Sequence, residues 1–174
     1  YGNCTVSFKE IEELNISDVY PMHNNLIGRW DIGNSYLDGH IRKANIDQGG
    51  KLPFSIYFNQ YVDVVNIRNM SHIAEKVQSG DTFFWFEEGV GEVNIDNLQL
   101  GSSMFRVWTP SPVVVNITNS SFMLSDSANP SADNVFNLVN CDVCMATGTD
   151  KRKHDLTFRG TMSQLREYLE KYGY

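Results

Sequence analysis

Four carboxylates stand where chemistry would be placed if this chain performed any. Asp38, Asp63, Glu92 and Asp155 each precede an apolar residue (Ile41, Ile67, Ile95 and Phe158) by three or four positions. Carboxylates that converge on one face can bind a hard cation or share protons for acid–base work. The phase is uneven: Asp63 stands four positions before Ile67, whereas the other three stand three before theirs. The equivalent positions ahead of Ile117 and Leu138 hold Val114 and Val135. The set does not converge, so no catalytic residues are assigned. His23, His40, His72 and His154 lack the mutual spacing of metal ligands or of a triad, and no phosphate loop, GxSxG elbow or HExxH pattern occurs. Neither a metal nor a cofactor is expected.

Aromatic residues offer a second chemistry. Trp30, Trp85 and Trp108 lie 11, 10 and 9 residues before Ile41, Ile95 and Ile117, and Tyr57 lies 10 before Ile67. Rings recurring at that spacing can form a platform for sugar rings, with Trp30, Trp85 and Trp108 as carbohydrate-binding residues, or they can fill the core. Cys141 and Cys144 form a lone CxxC without the second ligand pair that zinc needs. They read as buried or unpaired thiols, or as a disulfide, either local or involving Cys4. Five N-x-[ST] sequons begin at Asn3, Asn15, Asn69, Asn116 and Asn119, against roughly two by chance at this content of Asn, Ser and Thr. They point to an extracellular or cell-surface glycoprotein.

The elements that must position these residues announce themselves as a repeat. Leu14-Asn15-Ile16-Ser17-Asp18, Val65-Asn66-Ile67-Arg68-Asn69, Val93-Asn94-Ile95-Asp96-Asn97, Val115-Asn116-Ile117-Thr118-Asn119 and Phe136-Asn137-Leu138-Val139-Asn140 share one frame. Two degenerate copies fill the gaps, Gly39 to Lys43 and Leu156 to Gly160. The central apolar residues are then spaced by 25, 26, 28, 22, 21 and 20. A repeat of this length with one strand per copy signifies a solenoid. Apolar residues flanking the first Asn give the period of two of a half-buried strand, with that Asn facing outward. The second Asn suits a left-handed corner and can bond its equivalents on adjacent coils as an inner asparagine ladder. The first Asn of the sequons at Asn15 and Asn116 is thus free to carry a glycan, whereas Asn69 and Asn119 belong to the corner.

Two further short strands follow in each copy, such as Phe122-Met123-Leu124 and Thr82 to Phe86, before loops marked by Gly and Pro. Three strands per coil and a corner Asn resemble the right-handed parallel β-helix of the pectate-lyase-like superfamily, from Leu14 to about Gly160. The resemblance implies about seven coils at about 4.8 Å each, a rod of roughly 30 Å. In enzymes of that superfamily, carboxylates on adjacent coils act with a nearby Arg or Lys. The run Asp38-Gly39-His40-Ile41-Arg42 echoes the polygalacturonase motifs, without their paired aspartates. The insert from His72 to Gly91 reads as a protruding loop.

Residues 161–174 change period. Met162, Leu165, Leu169 and Tyr172 fall at helical spacing, and Thr161 with Gln164 forms a capping box. Such a helix would cap the last coil. No cap precedes the first copy, and Cys4 to Phe8 reads as a further strand, so the N-terminal coil is expected to meet a second molecule or a neighbouring domain. The chain reads as a single all-β domain, 1–174, with coils over 1–160, either a mature protein or a segment of a longer one. A net charge of −7 without a basic face argues against nucleic acid, and no run of apolar residues is long enough to span a membrane. The expected function is an extracellular structural or adhesive module, a subunit of a fibre or surface assembly. The competing reading is a carbohydrate-active or polysaccharide-binding domain, which rests on fold analogy.

Overall fold

A computed structural model describes residues 10–17, 29–32, 39–51, 55–71, 81–124, 134–145 and 151–174. The alternation read from the sequence becomes a stack of parallel strands. β1 (Glu10–Ser17), β3 (His40–Lys51), β5 (Tyr61–Ser71), the first part of β7 (Val90–Trp108), β8 (Val114–Thr118) and β10 (Val135–Met145) pair in that order, each parallel to the next. A second line runs through β2 (Arg29–Ile32), β4 (Ser55–Phe58), β6 (Asp81–Phe86) and the last residues of β7. β9 (Ser121–Leu124) joins the end of β7 to the end of β10. This all-β arrangement is compatible with a β-helix-like fold.

Equivalent residues of successive strands fall into columns, and the columns are the core. One holds Ala44, Val65, Val93, Val115 and Phe136; the next holds Ile46, Ile67, Ile95, Ile117 and Leu138. All ten are at most 2% exposed. On the second line Phe58 stacks on Phe86 at 5.1 Å between centroids, and Phe105 bridges Phe84 and Phe122. Because side chains alternate across a strand, every column of core residues fixes an outward column between its members.

Corners are made where the sequence places its second Asn. Asn69, Asn97, Asn119 and Asn140 all adopt positive φ, between 51° and 56°. Asn reaches this left-handed region at lower cost than residues with bulkier side chains. The chain then turns Met70, Leu98, Ser120 and Cys141 inward, all buried.

Two expected copies are corrected. The second is not Gly39 to Lys43: the register aligns Leu14, Asn15, Ile16 and Ser17 with Ala44, Asn45, Ile46 and Asp47. The coil leading to it is longer, 30 residues from Asn15 to Asn45, and the small Ala44 occupies a fully buried column. The seventh copy is not a parallel coil. β11 (Lys153–Thr161) runs antiparallel to β10, with Leu138 opposite Phe158. The period of two that marks Leu156 to Gly160 as a rung is shared by parallel and antiparallel strands, so it does not set the direction of the strand. Among the described residues the repeat thus gives six parallel rungs and an antiparallel closing strand.

α1 (Met162–Tyr172) follows at once, as the helical spacing predicted. Thr161 accepts from the Gln164 backbone N–H, the Gln164 side chain accepts from the Thr161 N–H, and Gly173 ends the helix at φ 73°. Leu165 and Leu169 are fully buried and join the core cluster. No helix among the described residues is long and apolar enough to cross a membrane.

Candidate functional site

The outward column between the two core columns is asparagine on every rung. Asn15, Asn45, Asn66, Asn94, Asn116 and Asn137 lie in register. Each amide nitrogen donates to the carbonyl oxygen of the preceding rung: Asn45 to Asn15 at 2.7 Å, Asn66 to Asn45 at 2.8 Å, Asn94 to Asn66 at 3.1 Å, Asn116 to Asn94 at 2.9 Å and Asn137 to Asn116 at 3.1 Å. All five bonds point the same way. Their direction has a cause at the first rung, where Asn45 also donates to Glu13 at 2.7 Å. An ionised carboxylate only accepts, so it fixes Asn45 as donor and leaves its oxygen for Asn66; the choice propagates upward.

This revises the division of labour between the two asparagines. The expected inner ladder of second Asn residues exists only in pieces and on the exposed side of the corner. Asn69 donates to Asp47 at 2.9 Å, Asn97 to Asn69 at 3.0 Å and Asn140 to Asn119 at 2.9 Å. Between Asn97 and Asn119 the line breaks, because Asn119 donates instead to Asp96 at 2.8 Å. Gln99 spans the break, donating to the Asn97 side chain and to the Asn119 carbonyl. The continuous ladder belongs to the first Asn.

Asp96 is the best-held carboxylate of this face. It accepts from Thr118 at 2.7 Å and from Asn119. Those two bonds, helped by the charge of Arg68, hold its carboxyl below the usual aspartate range despite a small opposing effect of burial. Arg68, Asn94, Asp96, Asn116 and Thr118 line a shallow depression of about 310 Å³ floored by Ile67 and Ile95. Every polar side chain there except Arg68 is already tied to a neighbour.

The three candidate carboxylates among the described residues, Asp63, Glu92 and Asp155, are not brought together. Asp63 bonds His40 at 2.9 Å, Glu92 is exposed one position out of phase with it, and Asp155 sits at a positive-φ position on β11. Asp38, His23 and His72 lie outside the described residues. His154 meets Asp142 at 3.0 Å, far along the chain from His40. Burial pushes the Asp142 carboxyl up, but His154, the Asp155 N–H and Arg152 together bring it below the ordinary value. Among the described residues no three His, Cys, Asp or Glu side chains are grouped to hold a metal ion.

The aromatic residues stack, with a different membership from that expected. Tyr57, Trp85 and Trp108 share an outward column, their centroids 5.6 Å and 4.1 Å apart and their planes within 18° and 12°. Trp85 donates its indole N–H to Glu87. Trp30 is out of phase: the register aligns it with Ile56 and Phe84, whereas Asp31 takes the place in the Tyr57 column. Rings stacked between adjacent rungs cover one another's faces and brace those rungs.

Cys141 and Cys144 are both buried, and no disulfide joins them. They project from a strand just past a corner, where Cys141 lies within bonding distance of the Ile117 carbonyl at 3.4 Å and the Val139 carbonyl at 3.5 Å. Burial raises the Cys141 thiol pKa, which keeps it protonated and inert. Ser120, one rung below, satisfies the same corner by donating to Thr118 and accepting from the Leu98 N–H.

The sequons sort by these contacts. Asn15 is exposed and enters the ladder as acceptor, whereas Asn116 is half-buried and bonded on both sides. Asn69 and Asn119 hold corners; Asn3 lies outside the described residues. Sequence reasoning missed Asn45, Glu13 and Asp96 as members of this face. Asn45 carried a visible signal, Ala44 and Ile46 on either side, but its corner residue is Gln48 rather than Asn. No protein-family model, no curated protein and no solved structure matches the chain.

Proposed function

We propose that this chain is an extracellular structural or adhesive module of the right-handed parallel β-helix kind, serving as a subunit of a fibre or surface assembly. The observation that carries this reading is the asparagine column. It runs through six rungs in one direction and uses its amides to hold the stack. Asp63, Asp96 and Glu13 are bonded locally to His40, Thr118 and Lys43. Right-handed crossover is the strong preference for parallel strands joined within a sheet, which supports the handedness. The sequons support a secreted setting.

A second reading, a polysaccharide-binding or pectate-lyase-like domain, is favoured only by the Tyr57, Trp85 and Trp108 stack. One experiment separates the two. The chain is concentrated and imaged by negative-stain electron microscopy, and in parallel incubated with acidic polysaccharides with and without calcium. Ordered end-to-end particles with no unsaturated uronate product support the module. Dispersed monomers with calcium-dependent product formation would refute it.

A further inference from the structure

The two ends of the stack differ in kind, and the difference fits one end to the other. Among the described residues β1 is hydrogen-bonded on one side only, to β3, and β11 on one side only, to β10. A strand edge with unpaired N–H and C=O groups is a template for another strand. At the β1 end the inward residues Ile11, Leu14 and Ile16 are only half-buried, although their equivalents one rung on, Ile41, Ala44 and Ile46, are at most 1% exposed. At the other end Phe158 is likewise half-buried, held by Tyr168 at 5.9 Å between centroids.

Charge divides the same way. β1 carries Glu10, Glu12 and Glu13, all exposed, and no basic residue. Residues 151–161 carry Lys151, Arg152, Lys153 and Arg159 against Asp155 alone, in a chain whose net charge is −7. Arg42 and Lys43 of β3 already show how β1 is matched from one side, at 3.3 Å to Glu12 and 3.4 Å to Glu13.

We propose that the β1 edge of one copy docks on the β11 edge of a second copy, head to tail, an inference that rests on the assembly reading above. Following the columns, Ile16 lies over Phe158, Leu14 over Gly160, Asn15 beside Arg159 and Glu13 beside Thr161. Glu13 and Arg159 are then diagonal neighbours on the outer face, within reach of each other. The strands run antiparallel, because β11 is antiparallel to the stack. Glu12 and Glu10 extend past Thr161 toward the start of α1, whose first turn contains no acidic residue of its own. The alternative of β1 against β1 brings two sets of three glutamates onto one edge and is disfavoured by their repulsion. A head-to-tail contact is heterologous and propagates into an open filament.

The test is a charge swap read by sedimentation equilibrium at low ionic strength. Glu13→Arg alone and Arg159→Glu alone each place like charges at the junction, and each should weaken self-association about tenfold or more. The double variant Glu13→Arg/Arg159→Glu restores opposite charges and should regain most of the wild-type association, as should an equimolar mixture of the two single variants. Circular dichroism of every variant confirms the strand content. A chain that associates equally well with either single swap, or whose double variant stays as weak as the singles, overturns the head-to-tail contact and leaves the module reading in place. A wild-type chain that is monomeric throughout overturns both.

Discussion

A single amide in the middle of the outer column has two neighbours to satisfy. Asn94 donates to Asn66 and accepts from Asn116. Asn94→Ala should lower stability by about 1–3 kcal/mol, since it orphans a donor above and an acceptor below in a half-buried row. Thermal unfolding followed by circular dichroism measures this, and Asn15→Ala, at the exposed end, should cost less. An equal cost at both positions would mean that the column contributes nothing beyond the local strand. Asp96 adds a pH dependence. Its folded pKa is lowered, chiefly by the Thr118 and Asn119 bonds, so its contribution is complete above the ordinary aspartate value of about 3.9 and disappears as pH falls through the lowered one. Asp96→Asn should therefore flatten the loss of stability on acidification, while a variant and wild type with the same acid limb would remove Asp96 from the account. Asn15 has the freer amide nitrogen, so on passage through a eukaryotic secretory pathway a glycan should appear at Asn15 and be absent from Asn116. Mass spectrometry showing the reverse occupancy would contradict the register.

At the scale of elements, the sequence was legible where a side chain announces both its neighbour and its backbone. Val65, Asn66 and Ile67 show a half-buried strand, and Asn69 shows the left-handed corner that follows it. The capped helix was legible for the same reason, because Thr161 and Gln164 satisfy each other locally. Strand direction is not written in alternation: Leu156 to Gly160 has the pattern of a rung but runs antiparallel. Phase was lost where a column member is small or unusual, as at Ala44, and where residues of one type stand at different register positions, as Trp30 does relative to Trp85. The ladder of second Asn residues read from the spacing is present in pieces, whereas the continuous one on the first Asn was not foreseen, because bond partners depend on distances that no spacing in the sequence reveals. α1 gives the element-scale prediction. Leu169→Ala opens the fully buried contact of the cap with the last rung and should cost about 2–5 kcal/mol, against about 1 kcal/mol for Thr161→Ala, in chemical denaturation. Equal and negligible costs would show that the helix is not part of the core.

Among the described residues the molecule is a stack whose asparagine column has direction and whose first and last strands differ in sign of charge. The asparagine column starts beside Glu13 and finishes beside Arg159, so its first rung lies at an acidic end and its last at a basic one. Among the described residues, the β11 end carries one antiparallel strand and one helix, and on β1 three apolar residues stay half-buried. The proposed head-to-tail docking would extend such a stack at its ends. Exposed ion pairs are screened by salt, with a Debye length of about 10 Å at 0.1 M, so association through such ends must weaken as ionic strength rises. Sedimentation velocity of the 174-residue chain over a wide concentration range, at low and at high salt, tests this most directly. The account expects a sedimentation coefficient that climbs with concentration at low salt and falls back toward the monomer at high salt. A single monomeric coefficient at every concentration in both conditions would contradict it.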